Sequence, residues 1–553
     1  MFRLRSLVFP ALLLPALLLP TGLSAAPPAA PQGDSFFADS FDVQAVNVQV
    51  VVTGRKGERI SGLSAGDFRL LVDGQPVPLD FFLEVKDGRA VNVQEPASGD
   101  GDQPSTLADV ATGDTVGNSY LVFIDDSFSP IHLRNEALRG LARELQGLDP
   151  HDRVAVVSFD GRQIQVLSDW TAVSPELVKT VETAGHSRRL LIDEYPRGET
   201  LARSQVLEVY NNIYPASETG VAANLSYRLA RVQRSALAAT AAQRAFAPTA
   251  TGRKIMFFLS GGWPYDRYSM ASLDWSVIKN LMPYQEREGF ALLRPLTDSA
   301  NRLGYTVYPL HLADNSVLPS AADATNPKTG VGPDTTNAFL VLNAARNSMD
   351  FLAKETGGRL LLPGRNNNLN RIEDDTRSYY WLGFTHSGAD GQRRDLKVEI
   401  LQPGLAVRAR NSFLPLSRPA KTSIEVESAL ITGKDLGARP LEAGLGQLRR
   451  TGLIASQVPL WVKIPTDQIS MVEQDGKYAA RLELRVMSLD KNGGQSEVAV
   501  VPVEIDGENA PSEGGFVVYK TLLKVRTIDQ DLQVSLYDAL SGENRMTRLK
   551  IDR

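Results

Sequence analysis

Ser119-Tyr-Leu-Val-Phe-Ile-Asp125-Asp126-Ser127-Phe-Ser129-Pro-Ile-His132 is the stretch on which the reading of this chain turns. Tyr120 to Ile124 is a continuous apolar run of aromatic and β-branched residues, the mark of a strand covered on both faces in a parallel sheet. The run stops at Asp125. Asp125, Ser127 and Ser129 then alternate, which gathers three small oxygen-bearing side chains where the strand leaves the sheet. Ser129-Pro130 reads as a helix cap followed by the residue suited to the first helical position. Leu138, Leu141, Leu145 and Leu148 recur at steps of three and four, a helix with one buried face. Their burial favours folding by roughly 6–12 kcal/mol before chain entropy is counted. An oxygen cluster at the carboxyl end of a parallel strand is where α/β proteins place ligands.

Working outward, Arg153–Phe159, Gly252–Ser260 and Tyr305–Leu312 are further buried strands, Arg359–Leu362 a short fifth and Gln163–Leu167 an edge strand. Between them, residues 174–250 read as mostly helical with breaks at Pro196 and Pro215, and Leu340–Glu355 as a helix ended by Gly357-Gly358. The expectation over residues 119–390 is an α/β, doubly wound, mostly parallel sheet of Rossmann-like type, flanked by β-sandwich modules. Residues 36–90 alternate as an N-terminal β module, 91–118 form a linker, and the strands of 391–416 are expected to complete that module. Residues 417–553 read as a C-terminal β-sandwich with no competing helical period.

The N-terminus carries Arg3 and Arg5, then an apolar run from Ser6 to Pro20 and the small residues Ser24-Ala25-Ala26. That pattern is a signal peptide over residues 1–26, with a periplasmic or secreted destination. The chain has no cysteine, which excludes disulfides, thiol catalysis and cysteine metal sites. The net charge of −5 gives no support for nucleic-acid binding. No later segment is apolar enough for a membrane span in the mature chain.

With these elements placed, the central region resembles a von Willebrand factor type A domain. The carrying residues are Asp125-x-Ser127-x-Ser129 after its strand, then Arg153–Gly161 and Gly252–Gly262 in the expected order. The flanks Leu63-Ser-Ala-Gly-Asp67-Phe, Val72-Asp-Gly, Thr356-Gly-Gly, Tyr380-Trp-Leu-Gly-Phe384 and Val407-Arg-Ala-Arg are similar to the secreted "VWFA-related" proteins known from Acidobacteria. The resemblance covers residues 36–415 and implies a metal-ion-dependent adhesion site. In such a site an Asp and two Ser of the first loop, a Thr of a second and an Asp of a third surround Mg²⁺ or Mn²⁺. The ion's open position takes an acidic residue of a partner protein. Here the metal set becomes Asp125, Ser127, Ser129 and Thr200, the last being the candidate in Gly198-Glu-Thr200-Leu. The third loop departs from the pattern: it reads Ser260-Gly261-Gly262, so the Asp position is Gly261, and Asp266 is five residues on.

The functional expectation is an exported, non-catalytic, adhesion-type protein that binds another protein through a partly degenerate metal site. Two alternatives stand beside it. One is an envelope scaffold whose central domain is a metal-free spacer, the other a hydrolase with its site in the insertions at 174–250 or 262–300. Gly62-Leu-Ser64-Ala-Gly66 matches G-x-S-x-G formally, but a strand rather than a helix follows it. The five histidines show no metal-ligand spacing.

Overall fold

The computed structural model describes residues 3–5, 43–94, 110–185, 218–250, 252–263, 290–312, 345–362, 368–388, 391–434 and most of 438–552. Thr200, Asp266, His186, Pro196, Pro215, the apolar run from Ser6 to Pro20 and the loop 313–336 lie outside the described residues. The chain divides into two compact units, the larger spanning Gln44–His386 with Gly391–Pro415 and the smaller holding Leu416–Arg553.

The larger unit begins with β1 (Val43–Thr53), β2 (Phe68–Val72), β3 (Gln75–Val77), β4 (Phe81–Lys86) and β5 (Arg89–Gln94). It continues with β6 (Asn118–Asp125), α1 (Ile131–Glu144), β7 (Arg153–Phe159), β8 (Ile164–Thr171), α2 (Pro175–Ala184), α3 (Glu218–Phe246), β9 (Arg253–Ser260), α4 (Arg294–Leu303) and β10 (Tyr305–His311). After helical residues 345–355 come α5 (Asn368–Arg377), β11 (Tyr379–Ser387), β12 (Arg394–Ile400), β13 (Ala406–Arg408) and β14 (Ser412–Phe413).

One sheet of this unit runs β10-β9-β6-β7-β8. Its first three pairings are parallel and β8 is antiparallel to β7. Every residue of β6 and β10 is buried. On one face Tyr120, Val122, Ile124, Phe257 and Leu310 pack with Leu138 and Leu141 of α1, Leu145 of the turn that follows it, Val181 of α2 and Ile372 of α5. The helix period read from the leucines of α1 therefore marks a real buried stripe. Two further sheets, β13-β1-β11-β4-β5 and β14-β12-β2-β3, enclose an apolar core of Val46, Val48, Val50, Phe68, Phe82, Tyr380, Leu382 and Leu396. Their strands come from both sides of the central segment: β12 pairs with β2, β13 with β1 and β11 with β4, all antiparallel. Strand β11 thus belongs to this sandwich, although residues up to 390 were assigned to the central domain.

The smaller unit opens with α6 (Arg418–Thr432), where a β-sandwich alone was expected. Its start and stop are chemically plain. The Ser417 hydroxyl accepts from Ala420 N at 3.3 Å, a proline follows in the first turn, and Gly433 closes the helix at φ 71°. The strands β15 (Glu442–Leu445), β16 (Ala455–Pro465), β17 (Lys477–Asp490), β18 (Ala499–Gly507), β19 (Phe516–Arg526), β20 (Gln530–Asp538) and β21 (Asn544–Ile551) follow. They form two sheets around Leu460, Val462, Leu482, Leu484, Val503, Leu523, Val534 and Leu536. Arg3–Arg5 lies antiparallel on Glu504–Asp506 of β18.

The expected fold class, a doubly wound and mostly parallel α/β protein, is corrected by this architecture. The described residues are 45% strand against 25% helix, and sandwich-like antiparallel sheets dominate them. Among the described residues, the registers of the sheets other than β10-β9-β6-β7-β8 are antiparallel apart from a two-residue parallel pairing of Arg439–Pro440 with Arg545–Met546. Among the described residues, the parallel signature read from the buried runs holds for β6, β7, β9 and β10. Arg359–Leu362, expected as a fifth strand, contributes only a single bridge from Leu361 to Leu310. The alternating strands on either side of residues 119–390, expected only as flanking modules, carry more of the protein than the continuous apolar runs do.

Candidate functional site

At the carboxyl end of β6 the structure brings Asp125, Ser127 and Ser129 together and closes them off. They are 0%, 3% and 6% exposed, so the rim expected to meet a partner's acidic residue has no open face. The Asp125 carboxylate accepts from the Ser260 hydroxyl at 2.9 Å and from the Trp263 indole N–H at 3.0 Å, both at Oδ2. The buried Ser235 hydroxyl also approaches the carboxylate. Burial pushes the carboxyl pKa up, against the Ser260, Ser235 and Trp263 groups and the positive charge of Arg231.

The two serines have other tasks than ligation. The Ser129 hydroxyl donates back to the Asp125 carbonyl at 2.6 Å. It does not cap α1, whose capping position is Pro130 with no side-chain bond, which corrects the expected Ser129 cap by one residue. Ser127 is taken by Arg231 of α3: the guanidinium donates to its hydroxyl at 3.2 Å and to its carbonyl, and lies 4.4 Å over the Phe128 ring. A fixed cation therefore already stands beside the acid and hydroxyl groups.

Gly261 explains why no acid stands in the third loop. Its N–H donates to the Phe128 carbonyl at 3.0 Å, and a Cβ there would fall 2.1 Å from that same oxygen. The two loops are in backbone contact, and an Asp at this position would force them apart. Gly262 is restricted as well, with φ +83° and a Cβ 2.5 Å from the Ala345 carbonyl. The next residue, Trp263, is wholly buried and packs edge-on against Phe258. Beside Ser260 in the sheet register lies His311, buried and held neutral, its pKa brought down to about 4 by burial against the opposing bond to the Gly261 backbone.

The adjacent Asp126 makes a buried ion pair with Arg134 at 2.7 Å, and Arg134 also donates to Asn135 and to the Ala184 carbonyl. Burial raises the Asp126 pKa to about 6 in spite of that partner. At the opposite end of the sheet, Asp375 of α5 is wholly buried among arginines. Its carboxylate meets Arg408 at 2.6 Å, Arg359 at 3.7 Å and Arg59, while its carbonyl accepts from Arg253 at 3.0 Å.

Of the sequence-assigned set, Asp125, Ser127 and Ser129 converge, and Thr200 lies outside the described residues. Among the described residues no three His, Cys, Asp or Glu side chains gather as a metal would need. Arg231 and Trp263 went unread because each reaches the cluster from more than a hundred positions away. Ser64 of the G-x-S-x-G match is occupied in a short turn, its N–H and hydroxyl both donating to Asp67, at 2.8 and 2.9 Å.

No family model matches the chain, and no curated protein matches it. Among solved structures, the pilus adhesin SpaC from Lactobacillus rhamnosus GG aligns over 79% of this chain at 10% identity and a TM-score of 0.21. The alignment spans 57% of the adhesin. A likeness that weak carries no argument about fold or function.

Proposed function

We propose that this chain is an exported, non-catalytic protein-binding component whose Asp125 cluster is a metal-free internal brace. The observation that carries this reading is the filling of the cluster from within: Arg231 supplies the positive charge and Trp263 the hydrogen bond that an ion would otherwise supply. A divalent cation would have to enter beside a guanidinium, with Asp125 the carboxylate the described residues offer it, which is electrostatically unfavourable. The contact between Gly261 and Phe128 keeps the loops too close for a second acid. Export is supported by the charged head and apolar run of residues 1–26.

The test is thermal unfolding in Mg²⁺ or Mn²⁺ and then in EDTA, with Asp125→Ala alongside. A site with a Kd of about 0.1 mM would add about 1.4 kcal/mol at about 1 mM ion. We expect no shift with either ion. A rise in unfolding temperature that disappears in Asp125→Ala overturns the metal-free reading.

A further inference from the structure

Three of the exposed large apolar side chains among the described residues lie on the outer face of one strand, β19. Along this strand Phe516, Val518, Lys520, Leu522 and Lys524 point away from the core, while Tyr519, Leu523 and Val525 point in. Phe516 is 55% exposed, and Val518 and Leu522 are 40% exposed each, three large apolar side chains on one short ridge. The register on β16 sets Lys463 opposite Val518, Trp461 opposite Lys520 and Pro459 opposite Leu522. Lys463 also lies 4.7 Å over the Phe516 ring. At the outward positions of β15, β16 and β19 the one acid is Glu442, and it is tied to Lys463 at 2.8 Å. In a chain of net charge −5, this face is basic. Strand β19 pairs with β16 along eleven residues, and among the described residues no strand pairs with its other edge.

We propose that β19 is a docking edge for an extended, acidic segment of another protein, which adds as a further strand. Backbone groups along the open edge give the register, as in β-augmentation generally. Acidic side chains on the outer face of the incoming strand meet Lys520 and Lys524, and apolar ones on its inner face extend the core beside Tyr519 and Leu523. Edge lysines guard sheets against self-pairing. A second copy of this chain would set lysine against lysine, whereas an acidic strand turns the same charges to attraction. The apolar ridge between the lysines is more than a guard requires. This gives the binding role proposed above a place and a partner class, and it rests on that role. The two tests separate: a Mg²⁺ response at Asp125 would leave binding at β19 untouched.

The experiment uses the full chain and two labelled peptides, one alternating Glu and Val over eight residues and one alternating Lys and Val. Fluorescence anisotropy is the readout, with hydrogen exchange on residues 516–526. We expect the Glu-Val peptide alone to bind, to weaken as salt rises from about 0.05 to about 0.5 M, and to slow amide exchange along β19. The double variant Lys520→Glu/Lys524→Glu, altered only at positions facing solvent, should bind it at least about tenfold more weakly and gain affinity for Lys-Val. Equal binding of both peptides, unchanged binding by the variant, or no binding at about 1 mM overturns the proposal. So does a dimer of the full chain that Leu522→Asp dissociates, which would assign the edge to a second copy.

Discussion

Strand β9 runs between two buried aspartates that are stabilised in opposite ways. Its first residue, Arg253, donates to the main chain at Asp375, and its last, Ser260, donates to the side chain of Asp125. Asp375 is answered by charge, with Arg59, Arg359 and Arg408 around one carboxylate. Asp125 is answered mostly by neutral donors, a hydroxyl and an indole. A buried carboxylate among arginines gains most when ionised, and its loss strands several cations. A buried carboxylate among neutral donors is only weakly held in its charged form, which is the direction in which the Asp125 pKa moves. The same residue type at two ends of one strand therefore has different worth, set by what reaches it.

The largest expected effect is at the charged end. Asp375→Asn keeps the shape but leaves the surrounding guanidiniums without their anion, and should cost about 3–5 kcal/mol in urea unfolding. A cost below about 1 kcal/mol would mean that solvent already screens those arginines, and the comparison would collapse.

The next effect belongs to pH at the other end. His311 is neutral in the folded chain, with a pKa of about 4 against an ordinary 6.5. As pH falls through about 6.5 the unfolded chain takes up a proton that the folded chain refuses, so stability drops until about pH 4. Relative to His311→Gln, the wild type should lose up to about 3 kcal/mol across that window. Asp126 works in the opposite sense, because its raised pKa favours the folded chain as pH falls through about 6. Only the difference between wild type and variant isolates His311. Parallel stability curves for the two proteins would show that His311 is solvated.

The smallest effect sharpens the contrast most. Asp125→Asn retains an oxygen for Ser260 and Trp263 and turns an N–H₂ toward the Ser235 hydroxyl, so its stability should stay within about 1 kcal/mol of wild type. A loss comparable to that of Asp375→Asn would place a full, compensated charge at Asp125 and undo the distinction drawn between the two ends.

Which parts could be read from sequence follows the same division. Asp125, Ser127 and Ser129 are adjacent in the chain, so their convergence was visible in one short motif. The arginines on Asp375 come from positions 59, 253, 359 and 408, and no local pattern announces them. The buried runs of β6, β7, β9 and β10 were legible because covering a strand on both faces leaves it continuously apolar. That signal says nothing of how much antiparallel sheet lies around it, and the fold class was misjudged there. Helix α6 was missed although Ser417, Pro419 and Gly433 mark its ends, because the alternation after residue 455 was carried back over it. The closure of the site was not legible at all: it depends on the approach of Gly261 to Phe128 and on Trp263 folding inward.

The pairing of β2 with β12 and of β1 with β13 bears on how the molecule comes into being. Partners such as Phe68 and Ile400 are separated by the entire central segment, so beyond their local hairpins the early strands must wait for the late ones to complete the sheets. During synthesis, Val48, Val50 and Phe82 lack the part of their core that Tyr380, Leu382 and Leu396 supply until those residues have emerged. Such a nascent chain carries a sticky surface for as long as that takes, and it is the stage at which a holding chaperone would matter most.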